Sequence, residues 1–377
     1  MKILLVGEYS RLHNSLKEGL MSLGHEVVLI ASGDFFKDYP ADIKLKKKFY
    51  NGFTKKIKVG LYLLFGIDIT SINFRNQFFK HKKELQGFDV VQLINESPLG
   101  VLPKHEKEII SFLKEQNKKL ILLSCGTDYI SVKFAAEKKF RYSIFTPFFE
   151  GRIVKNQFEP ALKYLKPDFV DLHHFVYKNS EKVIASDMDY HLPLENHPKY
   201  FGLIPNPINT DKIAFIPNKI EEKIIIFHGV NRGNYYKKGN DLFDAALKQI
   251  QQKYAAQVEI IRTENIPYNQ YIELYNKAHI LLDQVYAYDQ GYNALEAMAK
   301  GKVVFTGAET EFLKYYNLAE NQVNINALPD VNDLVKNLSR LIENPLEIEK
   351  IGKNARAFIE KEHHYVKIAE KYLEAYM

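Results

Sequence analysis

Asp283-Gln284-Val285-Tyr286-Ala287-Tyr288-Asp289-Gln290-Gly291-Tyr292-Asn293-Ala294-Leu295-Glu296-Ala297-Met298-Ala299-Lys300-Gly301-Lys302-Val303-Val304 decides how the chain is read. The runs at 280–282 and 303–305 are short and continuously apolar, the pattern of strands covered on both faces. Between them lie a polar loop, a helix over about 293–300, and Gly301 as a left-handed helix stop. A strand, a helix and a second strand in this order need a crossover, and hence a parallel sheet.

The same alternation continues in both directions. Residues 224–227 and 258–261 read as strands, and 241–254, 268–277 and 311–316 as helices. The stretch 332–376 reads as mostly helical. In the first half, 3–6, 26–30, 90–94 and 120–123 read as strands. Residues 12–23, stopped by Gly24, and 106–116 read as helices. Between the halves, Ile204-Pro205-Asn206-Pro207-Ile208-Asn209-Thr210-Asp211 favours turns and stops a helix. The reading is an α/β protein of two Rossmann-like, doubly wound domains facing a cleft. Residues 1–205 form the first domain, 206–222 the linker and 223–360 the second domain. A length of 377 residues fits two domains at roughly 100–200 residues each. Ligands of such sheets bind outside the carboxyl ends of the strands.

The formal charge of +6 conceals an asymmetry. Residues 44–83 carry eleven basic residues against Asp68 alone, a local balance of +10, so the remainder sums to −4. One basic segment on an otherwise acidic protein argues against general nucleic-acid binding. The single cysteine, Cys125, allows no intramolecular disulfide and fits a reducing, cytoplasmic setting. The apolar run at 3–6 is too short for a secretory signal. No stretch reaches the ~18 apolar residues of a membrane span.

Two loops carry the chemistry. His228-Gly229-Val230-Asn231-Arg232-Gly233-Asn234-Tyr235-Tyr236-Lys237-Lys238-Gly239-Asn240-Asp241 follows a strand and opens a helix. Its glycines admit backbone amides to a ligand, and Arg232 and Lys238 add two cations, the combination a diphosphate needs. The spacing is neither a Walker A loop nor a dinucleotide fingerprint. In the second loop Glu296 reads as a first-turn carboxylate, able to accept ribose or sugar hydroxyls or simply to complement the helix dipole.

In this order the two stretches resemble the retaining family 4, group 1 type glycosyltransferases of the GT-B fold. Residues 204–211 resemble that family's turn before the linker. Arg232 and Lys238-Gly239 match its diphosphate-binding positions. Leu295-Glu296-Ala297-Met298-Ala299-Lys300-Gly301 matches the end of its two-glutamate motif, which implies that Glu296 holds the nucleotide ribose. Gly307-Ala308-Glu309-Thr310 falls where such enzymes contact donor. The final segment, 361–377, resembles the helix that crosses back to the first domain. The resemblance implies donor contacts at Gly229, Asn231, Asp283, Gln284, Gly291, Tyr292, Asn293 and Glu296. It also implies a leaving-group role for Arg232 and Lys238, with no metal and no cofactor beyond the nucleotide-sugar substrate. One departure stands out: the family's first glutamate position is Tyr288 here, with Asp289 one place later. Divergent members carry an Asp-Gln pair like Asp283-Gln284.

The first domain is read as the acceptor side. Its strand ends, Gln92-Leu93-Ile94-Asn95-Glu96-Ser97 and Ser124-Cys125-Gly126-Thr127-Asp128, are expected at the cleft. Asp128 is the acceptor-side catalytic candidate, with Glu96 and His13 beside it. Cys125 reads as a buried, inert thiol. The adjacent pairs His173-His174 and His363-His364 point apart, and no carboxylate cluster suited to magnesium is visible.

In the basic segment, Lys44, Lys46, Lys47, Lys48, Lys55, Lys56 and Lys58 interleave with Phe49, Tyr50, Phe53 and Ile57. Such a face suits an anionic membrane surface or a polyprenyl-diphosphate acceptor; its plain alternative is a solvated helix. The expected activity is transfer of a hexosyl group from a nucleotide-diphosphate sugar to a glycan or polyprenyl-linked acceptor, with retention. That places the protein in cell-surface polysaccharide or glycoconjugate synthesis, in the cytoplasm or peripherally on the inner face of the membrane. The alternatives are a non-catalytic nucleotide-sugar-binding protein of the same fold and a sugar-nucleotide 2-epimerase.

Overall fold

Two parallel sheets, joined by one linker, organise the chain. The computed structural model describes residues 1–32, 39–49, 51–153 and 155–377; Tyr50 lies outside them. The first sheet holds β1 (Lys2–Val6), β2 (Glu26–Ala31), β3 (Ile43–Lys44), β4 (Val90–Leu93), β5 (Lys119–Ser124), β6 (Lys182–Ala185) and β7 (Tyr200–Leu203). Their order is β3-β2-β1-β4-β5-β6-β7, and every pairing is parallel. The second sheet holds β8 (Ile224–Val230), β9 (Val258–Glu264), β10 (Ile280–Leu282), β11 (Val303–Thr306) and β12 (Ile325–Asn326) in the order β12-β11-β10-β8-β9, again all parallel.

The apolar runs of the sequence are these central strands. Ile3, Leu4, Leu5, Val6, Val91, Leu93, Leu120, Ile121 and Leu123 are wholly or almost wholly buried, because helices cover both sheet faces. Each sheet reverses its strand order beside its first strand, the place where an α/β sheet opens a crevice.

The chain's last helix, Tyr365–Tyr376, packs on the helix Leu12–Ser22 of the first domain. Gly19 makes this possible: a Cβ there would run into the Tyr365 carbonyl and the Ala369 methyl. Lys119 Nζ caps the end of that helix through the carbonyls of Tyr376 (2.8 Å) and Met377 (2.7 Å). The linker is tied to the same place, since the Ile208 amide donates to the His363 carbonyl at 2.7 Å and the Tyr365 amide to the Ile208 carbonyl at 3.1 Å.

Four strands escape the sequence pattern. β3 and β12 have two residues each, β6 has four, and β7 is an edge strand with a register shift against β6. The two-residue segments carry no readable period.

Candidate functional site

The two loops singled out by sequence meet at the carboxyl ends of β8 and β10. Lys238 Nζ lies 2.9 Å from Asp283 Oδ1, and the Val285 amide donates to the Lys238 carbonyl at 2.9 Å. Gly239, in the left-handed region (φ 72°), lets the turn pass over Val285; a Cβ would sit 2.6 Å from the valine Cβ. It also begins the helix Asn240–Tyr254.

Asp283 is buried, and its Oδ1 also accepts from Asn293 Nδ2 at 3.0 Å, while its Oδ2 has no partner among the described residues. Arg232 sits in a single turn, Arg232–Asn234, opened by Asn231, whose side chain accepts from the Gly233 amide at 2.9 Å. Its guanidinium is more than half exposed, pairs with both Glu264 oxygens at 2.8 Å, and lies 4.9 Å from the Tyr235 ring centre. Both cations are therefore held in place by carboxylates before any ligand arrives.

The remaining second-domain candidates take different positions. Gly229 lies in β8 under the Tyr271 ring. Gly291 precedes the helix Tyr292–Ala299, beside the Gln284 amide. Asn293 Oδ1 accepts from the Tyr271 hydroxyl at 3.2 Å. Tyr292 is buried, and its hydroxyl reaches across the domains to Ser15 Oγ (2.6 Å) and the Pro207 carbonyl (2.8 Å). The first-turn reading of Glu296 is corrected: the helix begins at Tyr292, so Glu296 lies in the second turn and the first turn carries no acid. Glu296 is half-buried, and its charge acts on Arg11 and Lys300.

On the first domain, Asp128 caps the helix Tyr129–Ala136. Its Oδ1 accepts from the Ser131 amide at 2.8 Å and its Oδ2 from the Ser124 hydroxyl. Glu96 accepts from the Tyr129 amide at 2.6 Å and pairs with His173 Nδ1 at 2.8 Å. Burial, and then the Asp128 charge, push its carboxyl well above the usual range. His13 is a core residue: Nδ1 donates to the Gly7 carbonyl at 2.8 Å, and Nε2 accepts from Gln92 at 3.0 Å. Burial lowers its pKa to about 3, so it stays neutral. Burial, and next the Asp187 charge, raise the Cys125 thiol far above its ordinary value.

A cavity of about 310 Å³ lies between the domains. Tyr9, Gly126, Thr127 and Asp187 line it from the first domain, and Gln284, Asp289 and Gly291 from the second. Its volume sits at the small end of the range for ligand pockets, roughly 300–1,000 Å³. Arg232 and Lys238 lie outside its lining.

At this cavity the fold assembles a carboxylate cluster that the sequence reading did not find. Oxygens of Asp187, Asp189 and Asp289 lie within 4.8 Å of one another, the one such group among the described residues. The Met188 amide donates to Asp289 Oδ2 at 2.9 Å, and the Tyr288 amide donates to Asp189 Oδ2 at 3.2 Å, so carboxylates and amides cross the domain boundary in both directions. Burial pushes Asp189 up to about 7. Burial, then the neighbouring carboxylates, hold Asp187 and Asp289 well above the usual range. Asp289 lies about a hundred positions beyond Asp187 and Asp189, so spacing along the chain carries no trace of the three-carboxylate cluster.

Residues 232–374 match a family described as glycosyl transferase-like. No curated protein matches the chain. Among solved structures, sucrose-phosphate synthase from Thermosynechococcus elongatus superposes with a TM-score of 0.65 at 16% identity, over 100% of this chain and 98% of that one. HepE of Anabaena in complex with UDP-glucose gives 0.58 at 12% identity, over 100% and 99%. WaaG, a glycosyltransferase involved in lipopolysaccharide biosynthesis, gives 0.57 at 15% identity over 100% of both chains. At these identities the likeness establishes the architecture, two facing Rossmann-like domains.

Proposed function

From a chain of GT-B fold whose residues 232–374 match a glycosyl transferase-like family, we propose that the protein transfers a sugar from a nucleotide-diphosphate donor to an acceptor hydroxyl. The donor binds the second domain, and Glu296 holds its ribose. The acceptor, a glycan or a polyprenyl-linked glycan, enters from the first domain, which fits a role in cell-surface polysaccharide or glycoconjugate synthesis. The observation that carries the reading is the convergence of the two loops through Lys238 and Asp283, with Arg232 two residues past the end of β8. HepE, of the same fold, is known in complex with UDP-glucose.

In the reaction the anomeric carbon–oxygen bond to the diphosphate breaks, and both electrons leave with the phosphate. A bond forms to the acceptor oxygen, and the acceptor's hydroxyl proton is released. Negative charge grows on the diphosphate, where fixed cations lower the barrier most. Arg232, in an exposed pair with Glu264, exchanges that carboxylate for a phosphate oxygen when the donor binds. Lys238 stays between Asp283 and the ligand. Closure of the domains would exclude water and favour transfer over hydrolysis. Retention of anomeric configuration is part of the proposal through the resemblance alone.

The test is nucleotide release from a panel of nucleotide-diphosphate sugars, wild type against Arg232→Ala. Loss of turnover in the variant, with the fold intact, supports the leaving-group role; full turnover removes it. Donor binding without release by the wild type, across an acceptor panel, would make the protein a non-catalytic binder. Epimerisation without acceptor would make it an epimerase.

A further inference from the structure

We infer that the helix Gly52–Phe65 is an arm that docks the first domain on an anionic lipid surface, with its carboxyl-terminal tip entering the acyl boundary. None of its fourteen residues is buried. Phe53, Leu63 and Leu64 are each 76% exposed and Phe65 68%. An isolated exposed leucine needs no explanation, but a contiguous run of large apolar side chains marks an interaction surface.

The arm has a fixed attachment. It ends at Gly66, in the left-handed region (φ 66°), and the chain turns by 103° into the helix Ile69–Lys80. That second helix is anchored, since Phe74 and Phe78 are buried in the first domain's core and Phe78 and Phe79 pack edge-on against Phe112. Asp68 caps it through the Thr70 amide at 3.0 Å. The arm therefore projects from a rigid base, and its apolar side chains are not a loosened piece of core.

Its chemistry selects the partner. Phe53, Ile57, Leu61 and Leu64 recur at helical spacing and form one stripe, and Lys55 lies opposite. Charge is also graded along the axis: Lys55, Lys56 and Lys58 occupy the first half, and residues 59–65 carry no charge. Lys44, Lys46, Lys47 and Lys48 precede the arm, and the helix itself contains no acid. Lysines at one end and apolar bulk at the other match phosphate headgroups above an acyl layer. At fourteen residues and about 1.5 Å per residue the helix reaches roughly 21 Å, short of a ~30 Å hydrocarbon core, so it lies on or dips into one leaflet. This docking stands independently of the transfer reading.

The experiment is co-sedimentation of the full chain with phosphatidylcholine vesicles, with and without phosphatidylglycerol, at low and high salt. The expected result is binding to the anionic vesicles only, weakened by salt. Leu63→Asp/Leu64→Asp should reduce it at least tenfold with an unchanged circular-dichroism spectrum, because both side chains face solvent. Lys46→Gln/Lys47→Gln/Lys48→Gln should reduce it and flatten the salt dependence. Wild type remaining in the supernatant with anionic vesicles at low salt overturns the proposal. So does equal binding by the Leu63/Leu64 variant. Concentration-dependent dimerisation abolished by that variant, without vesicle binding, would replace the bilayer by a second copy of the chain.

Discussion

The Tyr288 hydroxyl accepts a hydrogen bond from the Arg141 backbone amide at 2.7 Å, across the two domains. The Arg141 guanidinium returns over the same ring, 4.8 Å from its centre, and binds Glu311 (2.6 and 2.7 Å) and Glu309 (2.6 Å). The position where the family resemblance places a glutamate is thus an aromatic clasp between the domains. Its partners Phe140 and Tyr142 pack on the same tyrosine at 5.1 and 5.7 Å.

Tyr288→Phe keeps the ring and removes the acceptor, leaving a part-buried amide without its partner. The expected loss is about 1–2 kcal/mol by chemical denaturation, in line with other unsatisfied backbone groups. An unchanged midpoint would mean the clasp contributes nothing to stability.

The Arg141–Glu311 pair sets an acid limit. The Arg141 hydrogen bond lowers the Glu311 carboxyl to about 2, so the pair stabilises above the ordinary glutamate range and is lost as pH falls from about 4.5 to 2. Both side chains are partly exposed, which limits the effect to about 0.5–1 kcal/mol. Glu311→Gln should lower the melting temperature at pH 6 and match wild type near pH 2.

The cluster of Asp187, Asp189 and Asp289 acts with the opposite sign. Raised carboxyls bind protons more tightly in the folded protein, so the Asp189 contribution is full below about pH 4 and is lost as pH rises through about 7, and Asp187 and Asp289 act in the same direction. Relative to Asp189→Asn, wild type should lose on the order of 1 kcal/mol between pH 5 and pH 8. Parallel melting curves of the two proteins across that interval would exclude the linkage.

Lys238 and Arg232 should separate in their effects on stability. Lys238→Met leaves the buried Asp283 carboxylate with Asn293 alone on Oδ1, and the expected cost is about 2–4 kcal/mol. Arg232→Ala breaks an exposed pair and should cost under about 1 kcal/mol. Urea titrations of both variants beside the wild type measure the difference. Equal stabilities would show that Asp283 does not depend on the lysine.

Gly19→Ala tests the crossing helix. The added methyl meets the Tyr365 carbonyl, part of the backbone, so the final helix must move and about 1–3 kcal/mol is lost. Thermal unfolding reads it directly, and a neutral substitution would show that the contact yields.

Much of the architecture was legible because strands buried on both faces must be apolar throughout, as in residues 3–6, 120–123 and 303–305. The loops of the second domain were legible for a related reason. Glycines and cations placed between a strand and a helix are local features, and Lys238, Asp283 and Asn293 come together while Arg232 pairs with Glu264 at the end of β9. Glu296 reads into the first turn because the spacing starts the helix one residue late, at 293 instead of 292, and helix ends rest on caps that spacing does not reveal.

By itself the sequence determined the two parallel sheets, the loops at their carboxyl ends and the basic segment, all written in patterns a few residues long. Only the tertiary structure decided which distant groups meet. Tyr288 finds Arg141 at a separation of 147 residues, and Asp289 finds Met188 at 101. It also decided that the helix Gly52–Phe65 faces solvent. A hydrophobic pattern records that a side chain avoids water, and the fold alone determines whether protein or another phase supplies its cover.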